Sequence, residues 1–207
     1  MSQGNEATIT IDRDKTALLL IHWQNDIATP GGKMADNEYP RIAAAHNIEN
    51  TQAVLKASRE KGLLIIYVKA SHWPDYPELP PKHGPMIDHV IKVGGMIRNT
   101  WGSNIIAQLK PLETEYVIEN YNPNCFSYTP LHLILRNKGI TELVLTGIAT
   151  HAAIENTARE GFNNGYFVYT LSDCVNSPSE ENHNHSIKNI LPRMGAVIDS
   201  KTFIAAL

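Results

Sequence analysis

The fold is decided by residues 142–161, Glu142-Leu-Val-Leu-Thr-Gly-Ile-Ala-Thr-His-Ala-Ala-Ile-Glu-Asn-Thr-Ala-Arg-Glu-Gly161. Residues 143–146 form a short apolar run, which is typical of a buried strand. Gly147 interrupts that run, and from about His151 onward apolar residues recur at helical spacing. The stretch therefore predicts a strand, a tight turn and a helix. In open α/β sheets, ligands bind where such strands end and helix N-termini begin.

The same pattern recurs on both sides of this stretch. Further strands are predicted over 16–21, 63–68, 115–119, 166–171 and 195–198, and helices over 40–61, 103–109, 129–139 and 179–194. Strands that alternate with helices are typical of a parallel sheet covered on both faces. We expect one domain over 1–207, in which residues 1–14 form a loose N-terminal arm.

Residues 74–100 interrupt this alternation. They contain five prolines followed by a pair of glycines, and we expect a long excursion with little regular structure. Segments of this kind are usually functional lids or oligomer contacts, and the sequence leaves both open.

Composition excludes several classes of protein. The chain has 207 residues, a net charge of -3 and no basic run, so we expect neither a nucleic-acid partner nor an anionic membrane surface. The longest apolar run, 17–21, is too short to span a bilayer, and the N-terminus does not resemble a signal peptide. Two cysteines do not make a disulfide framework. We therefore expect a cytoplasmic protein.

Three motifs resemble those of the isochorismatase-like (cysteine hydrolase) family over nearly the whole chain. They are Ala17-Leu-Leu-Leu-Ile-His-Trp-Gln-Asn-Asp26 with Pro30-Gly-Gly32, Cys125-Phe-Ser-Tyr-Thr-Pro-Leu131, and Thr146-Gly-Ile-Ala-Thr-His151 continuing to Glu155-Asn-Thr-Ala-Arg-Glu160. The resemblance implies a three-layer α/β/α sandwich with a mostly parallel, doubly wound sheet, in a dimer or tetramer. It also implies action on small amides, carbamoyl compounds or the vinyl ether of isochorismate.

The three reactive residues of this family are replaced in the chain. Typical members use an aspartate, a lysine and a cysteine, and these align with His22, Asn120 (Glu119 if the register slips by one) and Ala153. The usual thiolate attack on a carbonyl cannot operate through these positions. The resemblance also implies a cis peptide at Ile148–Ala149 and an oxyanion hole formed by the backbone N–H groups of Ala149 and Ala153, which no side-chain replacement removes.

Two replaced positions become catalytic candidates. His22 follows a strand, where an imidazole could act as general acid or base, or could be a hydrogen-bonded structural histidine. Asn120 could orient water or substrate, or could be a strand-end amide that caps a turn.

Other residues at strand ends and helix starts are candidates for the pocket wall, and aromatic residues among them could instead be ordinary core. These candidates are Trp23, Gln24, His72, Trp101, Tyr121, Cys125, Phe126, Thr150 and His151. Cys125 could be a displaced nucleophile, but no cation is adjacent in sequence, which favours a packed, inert thiol.

We expect no metal and no cofactor. No Asp-x-His spacing accompanies His72, and His183 and His185 stand two apart in a predicted helix, pointing to different faces. Two hypotheses remain: a hydrolase that uses His22 without a cysteine nucleophile, and an inactive family member that binds a small ligand or serves as a scaffold.

Overall fold

The computed structural model of the protein describes residues 9–207. Six strands form one sheet, and they are Thr16–Ile21 (β1), Leu64–Ala70 (β2), Tyr116–Asn120 (β3), Glu142–Ile148 (β4), Phe167–Asn176 (β5) and Gly195–Ile198 (β6). All neighbouring pairs are parallel, in the order β3-β2-β1-β4-β5-β6. The predicted parallel α/β sheet is confirmed. Gly147, predicted to end the central strand, lies within it.

Eight α-helices connect or flank these strands in the described part of the chain. They are Asn25–Ala28 (α1), Ala35–Ala44 (α2), Asn47–Lys61 (α3), Pro85–Val93 (α4), Leu131–Asn137 (α5), Glu155–Asn163 (α6), Glu180–His185 (α7) and Ser200–Ala206 (α8). No helix among residues 9–207 is long and apolar enough to cross a bilayer.

Several predicted boundaries need correction. The helix predicted over 40–61 is two helices, α2 and α3, because His46 between them adopts a left-handed backbone with φ of 53°. The helix predicted over 103–109 is a 3₁₀ turn, Ala107–Leu109. The helix predicted over 179–194 is α7 followed by π-helical and 3₁₀ turns. The final helix, α8, was not predicted.

Parts of the predicted N-terminal arm and of the 74–100 excursion are also more ordered than expected. Residues 1–8 lie outside the described residues, but Ile11 is buried and its N–H donates to the carbonyl of Ala206 over 3.2 Å. Within 74–100, α4 begins at Pro85, where the fixed φ of proline suits a first helical position. It ends at Gly94, whose φ is 64°.

The sheet separates two hydrophobic cores. Side chains of β1 alternate between them: Leu18 and Leu20 pack on one face, and Leu19 and Ile21 on the other. Helices α3 and α8 cover the first face, and α5 and α6 cover the second. The three-layer α/β/α sandwich that the resemblance implied is confirmed.

The strand order creates a switch point between β1 and β4. The chain runs from β1 outward to β3 and then returns to β4 on the other side of β1. Helices on the two halves therefore leave the sheet in opposite directions, and a crevice opens at the carboxyl ends of these two strands. His22 follows β1 there, and the peptide between Ile148 and Ala149 that ends β4 is cis, as the resemblance implied.

Gly147 sits where β1 and β4 approach closely beneath this crevice. Its φ is 132°, a conformation that side chains other than glycine rarely adopt, and a Cβ there would overlap the carbonyl oxygen of Ile21. We expect Gly147→Ala to lower the free energy of unfolding by about 3 kcal/mol or more, since strain and overlap with backbone act together. Urea denaturation measures this change.

Gly84 provides the control for this substitution. It has an ordinary φ, and a Cβ there meets nothing within 4 Å. Gly84→Ala should change the free energy of unfolding by less than about 1 kcal/mol, chiefly through the start of α4. Equal losses in the two variants would contradict the close approach at Gly147.

Candidate active site

A cavity of about 220 Å³ lies at the crevice between β1 and β4. Its walls come from the ends of β1, β2 and β4, from the loop after β3, from α2 and from α4. Apolar side chains make up much of the wall, and the titratable side chains are His22, Glu38, His72, His89 and His151. Small-molecule sites have this composition of an apolar lining with a few converging polar groups.

His22 joins the cavity to the polar structure behind it. Its backbone is left-handed, with φ of 55°, and its side chain is 8% exposed. Its Nε2 lies 3.1 Å from Oδ1 of Asn120, while Nδ2 of Asn120 donates to the carbonyl of Asn122 over 2.6 Å. A carbonyl can only accept, so the amide must present its oxygen to His22. Nε2 therefore carries the proton, and Nδ1 carries the lone pair.

Burial keeps His22 uncharged. Its pKa falls from 6.5 to about 4: desolvation by burial is the largest cause and the nearby His72 acts in the same direction, while the bond to Asn120 and the carbonyl of Ile148 oppose the shift. At neutral pH the ring is an uncharged imidazole.

Asn120 does not reach the cavity, which corrects its predicted role beside the substrate. It is fully buried at the end of β3 and does not line the wall. Its amide oxygen fixes the tautomer of the His22 ring. Glu119, the alternative position in the alignment, pairs instead with Lys69 and Arg98 at 3.2 and 3.3 Å.

The segment after β4 carries the two residues whose amides are predicted to form an oxyanion hole. Ala149 and Ala153 both line the cavity. The carbonyl of Ala149 accepts from the N–H groups of Ala152 and Ile154 over 3.1 and 3.2 Å, and these bonds hold a π-helical turn, Thr150–Ile154, ahead of α6. Within residues 9–207, the N–H of Ala149 has no protein acceptor.

Three other predicted residues also reach the cavity: His72, Tyr121 and His151. His72 is buried, and its Nδ1 lies 2.7 Å from Oε1 of Glu78. His151 lies 2.6 Å through Nδ1 from the hydroxyl of Ser177, and burial lowers its pKa. In the described part of the chain, no three His, Cys, Asp or Glu side chains are grouped to hold a metal ion.

Three predicted wall residues serve the frame instead. Trp23 is fully buried in the core rather than exposed to the cavity. Gln24 uses its amide to bridge strands, since Nε2 donates to the carbonyl of Ala70 over 2.7 Å and Oε1 accepts from its N–H over 2.8 Å. Thr150 is buried against Nδ1 of His183 at 2.9 Å. Consecutive residues after a strand point in different directions, so few of them can reach one cavity.

The prediction that Cys125, Phe126 and Trp101 line the pocket is also corrected. Cys125 is fully buried in the core on the far face of the sheet, and burial raises its pKa to about 12. Phe126 lies in the same core and stacks on Tyr166 with ring centroids 6.0 Å apart. Trp101 is 54% exposed and lies away from the wall.

Glu38 is a wall residue that the sequence analysis missed. The helix predicted from sequence begins at residue 40 and excludes Glu38. In the structure α2 begins at Ala35 and carries Glu38 in its first turn. Desolvation raises its pKa to about 7. Acidic residues in the first turn of a helix are common, so the sequence carries no signal that this one is buried.

Helix α4 closes the cavity from the same chain. It contributes Met86, Ile87, His89 and Val90 to the wall. A hydrogen bond joins the residues before and after this helix: the hydroxyl of Tyr76 donates to the carbonyl of Gly95 over 3.0 Å. Residues 74–100 therefore contribute to the wall of the chain's own cavity.

The chain is similar to proteins of one family over nearly its whole length. A family model described as the isochorismatase domain matches residues 16–202. An isochorismatase-like hydrolase from Alkaliphilus metalliredigens is 27% identical with a TM-score of 0.78, over 93% of this chain and 98% of the other. An isochorismatase family protein from Burkholderia thailandensis is 27% identical with a TM-score of 0.76, over 97% and 99%. A nicotinamidase from Bacillus subtilis is 26% identical with a TM-score of 0.71, over 89% and 99%.

Proposed function

The chain belongs to the isochorismatase family, whose model covers residues 16–202, and from this premise we propose that it hydrolyses a small molecule without a covalent intermediate. His22 is the acid/base group of this reaction, and no cysteine acts as nucleophile. The main support is the shared cavity, whose wall contains His22, Ala149 and Ala153. These are the groups that water attack on a polar bond requires.

The first step uses the lone pair of His22. Nδ1 takes a proton from water while the water oxygen bonds to the electrophilic carbon of the substrate. Negative charge then develops on a substrate oxygen, and the N–H groups of Ala149 and Ala153 donate hydrogen bonds to it. Asn120 accepts from Nε2–H, which leaves the lone pair of the neutral ring on Nδ1.

The second step returns the proton. An imidazolium whose pKa is about 4 is a strong acid, so it transfers its proton readily to the leaving group as the bond to carbon breaks. The same low pKa makes neutral His22 a weak base, so the first step relies on the negative charge that develops beside the ring to stabilise the imidazolium.

A thiol mechanism has little support. Cys125 and Cys174 are both buried, and neither lines the cavity. Burial raises the pKa of Cys125 to about 12 and raises that of Cys174 as well. A thiol that stays protonated is a poor nucleophile.

One observation favours the alternative, a family member that binds a ligand without consuming it. Because the pKa of His22 is about 4, the ring accepts protons weakly at neutral pH. Such a site could retain its ligand through hydrogen bonds and apolar contacts alone.

Hydrolysis assays on small neutral amides and esters test the proposed reaction. We expect turnover of at least one compound, with equal rates for the wild type, for the wild type treated with iodoacetamide, and for the double variant Cys125→Ala and Cys174→Ala. Circular dichroism checks that the double variant folds. Loss of turnover in this folded variant would contradict the thiol-free mechanism, and ligands that bind without being consumed would favour the binding protein.

A further inference from the structure

Glu38 places an unpartnered carboxyl group on the cavity wall. The residue is 8% exposed, and its Oε2 is buried with no hydrogen-bond partner among the described residues. An ionised carboxylate in such a place lacks the water or the counter-charge that would stabilise it. Buried polar atoms are nearly always hydrogen-bonded in native proteins, so an unpartnered oxygen on a residue that lines a cavity indicates a missing partner.

Between residues 9 and 207, no lysine or arginine lines the cavity. The other titratable side chains in its wall are His22, His72, His89, Tyr121 and His151, and His89 also lines the neighbouring pocket beside Glu38. Burial lowers the pKa of His22 and of His151, which favours their uncharged forms.

The basic residues close to Glu38 in sequence are engaged elsewhere. On the same helix, Arg41 donates to the carbonyl of Ser177 over 2.9 Å and to Glu180 over 3.2 Å. Before the helix, the ammonium of Lys33 donates to the carbonyl of Gly94. An ionised Glu38 therefore gives this end of the cavity a negative potential.

Glu38 also stands where the cavity meets a second pocket. A neighbouring pocket of about 210 Å³ shares Met34, Glu38, His89 and Pro178 with the cavity wall. These four residues lie between the two pockets, so Glu38 borders both of them.

We propose that the cavity binds a small molecule with an apolar body and a protonated amine, and that the ammonium pairs with Glu38. This inference rests on the proposed function only in taking the same cavity as the ligand site. The amine supplies the cation and the N–H donors that Oε2 lacks, and the apolar body fills the remaining space. A ligand with a carboxylate would instead meet a like charge.

The size of the cavity limits the apolar body. At about 220 Å³ it is smaller than sites for drug-sized ligands, which begin at roughly 300 Å³. A single ring with a short amine-bearing arm is the expected scale, and benzylamine is a suitable probe.

Isothermal titration calorimetry with benzylamine, benzyl alcohol and benzoate at pH 8 tests this inference. We expect benzylamine to bind at least about tenfold more tightly than benzyl alcohol, and benzoate to bind most weakly. Glu38→Gln should remove the preference for the amine and leave benzyl alcohol binding unchanged. Glu49→Gln, which changes an exposed glutamate on α3, should keep the preference.

A second measurement needs no variant. Because burial raises the pKa of Glu38 to about 7, lowering the pH from 8 to 6 protonates its carboxyl group. The preference of the wild type for benzylamine over benzyl alcohol should fall over this range. Equal affinities for these two probes at pH 8, an undiminished preference in Glu38→Gln, or tightest binding of benzoate would each overturn the inference. These titrations measure binding and not turnover. A failure of the hydrolysis assays would therefore not affect the conclusion about Glu38.

Discussion

Replacement of His22 by asparagine is expected to lower kcat/KM by about 10²- to 10⁴-fold, the usual contribution of a general acid or base. Asparagine is chosen because it tolerates the left-handed backbone at this position better than most residues. Its amide can also donate to Asn120, so the polar contact behind the ring is retained. The substitution therefore removes the titratable lone pair with little other change to the cavity.

His46 supplies a control in the same backbone conformation. Its φ is 53° against 55° at His22, but it is exposed between α2 and α3 and does not line the cavity. His46→Asn should leave kcat/KM unchanged. The profile of kcat/KM against pH for the wild type should fall on the acid side near pH 4, where His22 takes up a proton. Full activity in His22→Asn would falsify the acid/base role.

The stability of the same variant provides an independent readout of this pKa. In the unfolded chain His22 takes up a proton as the pH falls through 6.5, whereas in the folded protein it does so only near 4. The folded state therefore loses stability as the pH falls from about 6.5 to about 4, by up to about 3 kcal/mol from this group. His22→Asn should lack this component.

Glu38 acts in the opposite direction over part of the same range. Its pKa is 4.5 when exposed and about 7 in the folded protein. The folded state is therefore destabilised progressively as the pH rises between these values. Because the two effects partly cancel in the wild type, the difference between wild type and His22→Asn is the informative quantity.

The parallel sheet could be predicted from sequence because its strands carry strong, local signals. β1 and β4 are apolar runs buried on both faces, and their pattern does not depend on what packs against them. The position of the crevice follows from those two strands and the motifs around them. The sequence alone therefore predicts that His22 and Ala149 lie close together.

Helix boundaries were less predictable where conformation depends on tertiary contacts. Nothing in the sequence marks His46 as left-handed, since such a backbone is commoner at glycine or asparagine. The prolines of 74–100 suggested irregular structure, and they obscured the start signal that Pro85 provides for α4.

The composition of the wall was the least predictable feature of the site. Spacing along the chain placed Gln24 and Cys125 near strand ends, but their side chains point into the frame and into the opposite core. Glu38 is brought to the cavity by the packing of α2 against the end of the sheet, which no local pattern encodes. Its missing hydrogen-bond partner is visible only in three dimensions.

A cysteine introduced at Ala153 is expected to be alkylated by iodoacetamide at least about 100-fold faster than the native thiols. Ala153 lines the cavity in the turn that leads into α6, and it aligns with the nucleophile of the family that this chain resembles. Two effects oppose each other there. Burial raises a thiol pKa, as it does at Cys125, whereas N–H groups at the start of a helix lower it.

Ala153 is 2% exposed but lines the cavity, so we expect a thiol there to meet the reagent from the cavity and the helix-start N–H groups to stabilise its thiolate. Ala158→Cys is the matched control, since Ala158 lies on the same helix but is fully buried in the core away from the cavity. Mass spectrometry of the folded proteins should find one added group in Ala153→Cys and none in Ala158→Cys or the wild type. If Ala153→Cys is as inert as Ala158→Cys, the amides after β4 do not stabilise negative charge. The proposed stabilisation of a substrate oxyanion by the N–H groups of Ala149 and Ala153 would then be contradicted as well.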